Sequence, residues 1–213
     1  MTVSAPRELF KPERLLAFSD GVFGVAITLL VINLRLPPIP TRGGDAALLQ
    51  ALSAMGPNLF VFAFTFIIVG ISWLAHHRKF SYVDSIDSGL LWINLFYLMA
   101  LCLLPFASSV LSEHGSLVGF VLYDTVMALV QMLSAILSIY CLRQPFLARL
   151  DLSPSLRQDM VLSPVLVGTI FVVSAGIALV HLVTIAYWTL LLIAPVRGFL
   201  GFRARRNPFR NHS

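Results

Sequence analysis

Charge is scarce in this chain. Of its 213 residues, 12% are Asp, Glu, Lys or Arg, where a soluble domain carries about 25%. Hydrophobic residues make up 58%, above the ~45–50% of soluble proteins. That balance excludes disorder, which needs low hydrophobicity and high charge. Cysteine is scarcer still: Cys102 and Cys141 both sit inside apolar stretches. They read as small buried hydrophobes, form no zinc or redox spacing, and give no sign of an oxidising compartment. Catalytic motifs are missing as well. There is no Gly-x-Ser-x-Gly elbow, no His-Glu-x-x-His and no phosphate loop, and Gly43-Gly44 is a loop pair. The sequence does not point to an enzyme.

What it has instead is long apolar runs. They extend in blocks of about 20 residues, the length that crosses ~30 Å of hydrocarbon. Six are expected: residues 15–36, closed by Pro37, Pro38 and Pro40; 48–75, with a start blurred by Gly56-Pro57; 90–111; and 117–142. The stretch 161–202 is too long for one span and divides near His181–Thr184 into 161–181 and 184–202. The fold class is therefore all-α and membrane-embedded, one six-span unit over residues 1–213. Residues 1–14 are too polar for a secretory signal, so the first run is expected to stay in the protein.

Orientation follows from the basic residues. With six spans, 13 of the 15 Lys and Arg fall on the side of both termini, leaving Arg35 and Arg42 opposite. The expected arrangement is a multi-pass protein of the cell (plasma) membrane with both termini cytoplasmic. The basic tail from Arg203 to Arg210 then reads as a topology signal and an anionic-lipid contact, and no nucleic-acid partner is expected.

Polar residues within the runs carry the functional information, because an ionisable group at mid-membrane costs about 2.5–3.5 kcal/mol and must face protein or water. Asp20 lies about a turn and a half inside the first run. It admits two readings: an acid near the positive end of a helix dipole, with Pro12 near the first helical position, or a polar knot that pins this helix to its neighbours. His76 and His77 are adjacent, about 100° apart on a helix, a poor bidentate metal site; interfacial anchoring with hydrogen bonding is the expected role. Asn94 is a further buried polar candidate, and so is Asp124, which also lies within reach of the outer interface. Val25, Leu29 and Ile32 form one stripe at helical spacing, bordered by Thr28, and spacing alone leaves this open between ordinary packing and something more.

Arg14-x-x-x-Phe18-Ser19-Asp20, followed by Gly-Val-Phe-Gly-Val-Ala-Ile-Thr-Leu-Leu-Val, closely resembles the signature of the transmembrane protein 175 potassium-channel family, in its prokaryotic branch. The resemblance continues through Trp73-Leu74-Ala75-His76-His77-Arg78 and the stretch 94–106, roughly the first half of the chain. The second half agrees in span count and little else. The resemblance implies a homotetramer of six-span subunits that conducts potassium, with the first span lining a central pore. It implies that rings of apolar side chains, at Val25, Leu29 and Ile32 with Thr28 as a hydroxyl layer, replace the Thr-Val-Gly-Tyr-Gly carbonyl filter, a string absent here. The family more often has Ile or Leu at the position of Val25. Arg14, Phe18, Ser19, Asp20, Trp73 and His77 are implied as an inter-helix polar network near the cytoplasmic side. Expected partners are potassium ions, membrane lipids and further copies of the chain; no cofactor or metal is expected beyond the permeant ion. The alternative is a proton- or ion-coupled secondary transporter using Asp20, Asp124 and His77 as relay groups, and a third is a membrane scaffold. A carrier's flux saturates and couples to a second ion, a channel's runs down its gradient, and a scaffold moves nothing.

Overall fold

A computed structural model describes residues 11–40, 43–144 and 152–180 and the single positions 185, 189, 192 and 193. Among these the chain forms seven helices: α1 Pro12–Ile32, α2 Gly44–Ala54, α3 Gly56–Phe80, α4 Ser88–Cys102, α5 Leu104–His114, α6 Leu117–Arg143 and α7 Pro154–Leu179. Five helical stretches are long and apolar enough to cross a membrane: α1, α3, α4 with α5, α6 and α7. The expected sixth span, 184–202, and the expected turn at His181 lie outside the described residues, apart from Ile185, Thr189, Leu192 and Ile193.

Prolines set most of the boundaries. Pro12 and Pro154 occupy first-turn positions, where a missing N–H is harmless. The expected run 48–75 is two helices, because Pro57 cannot donate to the turn before it and its ring crowds the carbonyl four residues back. α2 therefore stops at Ala54, and α3 starts afresh at Gly56 and runs on to Phe80. Pro105 interrupts the helix at Leu103, between α4 and α5, within the expected span 90–111, which still runs as one stretch over Ser88–His114. The fifth span begins at Pro154, earlier than the expected 161, because the Ser153 hydroxyl accepts the Leu156 N–H at 3.3 Å and caps a polar first turn.

Lipid is as apolar as leucine, so burial alone gives these helices little reason to associate. Close backbone approach and inter-helix hydrogen bonds must do it. Gly119 of α6 meets α5: a β-carbon there would lie 3.0 Å from the Val110 carbonyl oxygen. Gly168 of α7 lets that helix close on α6, where a β-carbon would lie 3.2 Å from the Gln131 side chain. The main core joins Phe23, Tyr97, Phe120, Tyr123, Met127 and Phe171 from α1, α4, α6 and α7. A smaller core at the other end gathers Leu15, Phe80, Leu90, Leu137 and Cys141 around the α3–α4 turn. α6 packs most extensively on α7, while α1 lies against α3, α4 and α5.

Candidate pore helix and its support

Helix α1 has two faces. One buries Leu15, Ser19, Phe23, Ala26 and Leu30 against the rest of the chain. The other turns Arg14, Phe18, Val25, Thr28, Leu29 and Ile32 outward, where no described element covers them. The division is sharp between neighbours: Leu30 is 2% exposed and Leu29 is 41%. Val25 and Ile32 share the open face with Leu29, as their spacing of four and three residues requires. The Thr28 hydroxyl donates back to the carbonyls of Gly24 at 3.0 Å and Val25 at 2.9 Å, so it adds no uncompensated donor to that face.

The inward face is held by a directional chain of hydrogen bonds. His76 Nε2 lies 2.8 Å from Asn94 Oδ1. The Asn94 amide donates to Ser19 Oγ at 3.1 Å, and Ser19 donates to the Leu15 carbonyl at 2.8 Å. Because the amide nitrogen of Asn94 is spent on Ser19, its oxygen accepts, and His76 carries its proton on Nε2. Its bare Nδ1 then needs no donor role, in keeping with the lack of a partner among the described residues. The imidazole stacks on Tyr97 with centroids 5.5 Å apart and abuts Phe80 at 4.6 Å and Phe23 at 5.5 Å. A second link ties Trp73 Nε1 of α3 to Asp20 Oδ1 at 2.8 Å, and His77 rests on the Trp73 ring at 5.9 Å. At the far end of α1, the Asn33 amide donates 2.7 Å to the Pro105 carbonyl, beside the α4–α5 break.

Ser19, Asp20 and Trp73 thus take part in contacts between helices. Arg14 and Phe18 lie on the opposite, open face of α1. His77 is exposed, whereas His76 is buried and hydrogen-bonded to Asn94. The signal was present in the spacing of Thr65, Ser72, His76 and Lys79, one buried stripe on α3 that His77 falls off by about 100°. Lys79, counted above with the cytoplasmic loops, is also buried; its ammonium donates to the Ser134 carbonyl of α6 at 2.6 Å.

Residues 14–105 match the family model described as "Endosomal/lysosomal potassium channel TMEM175". A protein from Streptomyces collinus named a potassium channel is 40% identical over 101 residues, 47% of this chain and 48% of its own length. Another potassium channel, from a Chryseobacterium species, is 40% identical over 95 residues, 45% of this chain and 46% of its own length. The aligned part of the chain thus spans about half the length of these curated relatives. In architecture the chain is similar to the crystal structure of a TMEM175 homologue from Chamaesiphon minutus, with TM-score 0.73 and 21% identity over 90% of this chain and 96% of that one.

Proposed function

We propose that the protein, whose residues 14–105 match the TMEM175 family model, is a potassium-permeable channel assembled from four copies around α1. The observation that carries the proposal is the split of α1 into a face buried in its own chain and an uncovered face bearing Val25, Thr28, Leu29 and Ile32. A single helix cannot enclose a pore. Four copies, each turning that face to an axis, make successive rings of Val25, Leu29 and Ile32 with a hydroxyl layer at Thr28.

Such rings gate by dewetting: a narrow apolar constriction empties of water, and ions stop. With no carbonyl filter, selectivity comes from the unequal cost of stripping water from each cation. Potassium gives up its shell more cheaply than sodium, so the ring favours it modestly. Val25 makes the innermost ring wider than an Ile or Leu ring would be. The bonds from Asn94, Trp73 and Asn33 hold α1 in one orientation, so that the stripe keeps facing the axis. Potassium is substrate rather than cofactor, and the reaction needs no other group. The protein acts in the cell membrane with both termini cytoplasmic.

Reconstitution of the full chain into liposomes with an outward potassium gradient tests this. Downhill potassium flux that does not saturate, and that needs no proton or sodium gradient, supports the channel. Saturable flux coupled to a second ion supports the transporter instead, and no flux in a folded, reconstituted protein removes both.

A further inference from the structure

The polar groups of α1, α3 and α4 support the pore helix, but one buried carboxyl lies elsewhere. Asp124 is the eighth residue of α6, about 10 Å along the axis from the helix start. It is 0% exposed, so it does not reach the interface as its place in the sequence allowed. Neither carboxylate oxygen accepts a well-formed hydrogen bond from the described residues. From α7 the buried Ser174 side chain faces it. The adjacent Tyr123 hydroxyl is committed to Thr65 of α3 at 2.9 Å. Phe120, Met127 and Phe171 of the same core make the surroundings apolar.

No cation of the chain is free to balance this carboxylate among the described residues. On α3, His76 is bonded to Asn94, and Lys79 to Ser134. Ser134 is ten residues along α6 from Asp124, about 15 Å. The buried residues of α4 and α5 include no Lys, Arg or His. On α7, Arg157 is 17 residues from Ser174, about 25 Å. An unbalanced carboxylate in hydrocarbon is among the costliest placements a membrane protein can make, and such a residue marks a functional site. No group among the described residues supplies the balancing charge.

We propose that Asp124 and Ser174 form a binding site for a small monovalent cation, a proton or an alkali ion, in the α6–α7 seam of each subunit and apart from the α1 stripe. The site joins one side chain from each of two long helices, so a bound cation holds α7 against α6. Gln131 lies two turns further along α6 against Gly168, with an amide nitrogen that finds no acceptor among the described residues. The polar character of the seam therefore extends beyond a single residue.

The test reads stability, so its outcome is independent of whether the protein conducts. Thermal unfolding midpoints of the full chain in detergent are measured across pH at fixed salt. They are measured again across potassium or sodium at fixed pH, with N-methylglucamine holding ionic strength. A cation that binds the folded state raises the midpoint with the logarithm of its concentration. The wild type should show that rise in the pH arm if the cation is a proton, or in the salt arm if it is an alkali ion. Asp124→Asn, which needs no counter-charge, should abolish it, and Ser174→Ala should weaken it. If Asp124→Asn keeps the full wild-type slope in both arms, the proposal is wrong. Should Asp124→Asn not fold, infrared spectra of the wild type decide: a protonated-carboxyl stretch that shifts in Asp124→Glu supports the proton. Absence of that stretch, together with a salt-independent midpoint, overturns the site.

Discussion

At the scale of single residues, Asn94 is the joint of the α1 support. It spends its oxygen on His76 and its amide on Ser19, so truncation strands two buried groups at once. Each such loss costs about 1–3 kcal/mol. Asn94→Ala should therefore lower the unfolding midpoint clearly, whereas Asn94→Asp keeps the acceptor for His76 and should lose less. Asp20 gives a second comparison. Its Oδ1 accepts the Trp73 indole N–H, which Asp20→Asn preserves and Asp20→Ala deletes. Thermal unfolding should rank wild type and Asp20→Asn together and Asp20→Ala below them by about 1–2 kcal/mol, the scale of an inter-helix hydrogen bond in a membrane. Equal midpoints for all three would reduce Asp20 to a helix-start acid. The sequence pointed to Asp20, Ser19 and Trp73 because a short motif carries them. For the histidines the sequence expects interfacial anchoring with hydrogen bonding, and the resemblance names His77; the buried and bonded member is His76, on the stripe through Ser72 and Lys79 of α3.

Among elements, the tight seams decide stability. Gly119 leaves no room for a β-carbon beside the Val110 carbonyl, which is backbone and cannot swing aside. Gly119→Val should force α5 away from α6 and cost about 1–3 kcal/mol, the usual penalty of overpacking. Gly176, with nothing among the described residues within 4 Å of its β-position, is the matched control, and Gly176→Ala should be close to neutral. The helices themselves were readable from the apolar runs, but their breaks were not. Gly56-Pro57 blurs a boundary that falls at the single residue Met55, and Pro105 sits inside a run whose hydrophobicity hides the interruption at Leu103. Hydropathy sums over a window and is blind to a missing N–H. The direction a polar residue faces is equally hidden, and so Asp124 could be placed at its depth yet not assigned to the α7 seam.

For the whole molecule, the proposed channel makes the basic residues a topology signal and α1 an interface between subunits. Epitope tags placed within residues 1–10 and 205–213 should both be accessible from the cytoplasmic side of sealed vesicles. Tags on opposite sides would contradict an even span count. The assembled mass in lipid should be four times that of the 23.5 kDa chain. These outcomes bear on the architecture, but only the α1 stripe joins architecture to conduction.

That join is tested most directly by comparing Leu29→Ala with Leu30→Ala, each measured for potassium and sodium flux in liposomes and for thermal stability. Leu30 is buried in its own chain, so its truncation should leave a cavity costing about 2–5 kcal/mol without raising flux. Leu29 lies on the uncovered face. If that face lines the pore, its truncation widens a ring in four subunits, raises flux and weakens discrimination against sodium, with little loss of stability. Val25→Ala and Ile32→Ala should act in the same direction as Leu29→Ala. Destabilisation by all three stripe variants, with flux and ion preference unchanged, would remove α1 from the pore.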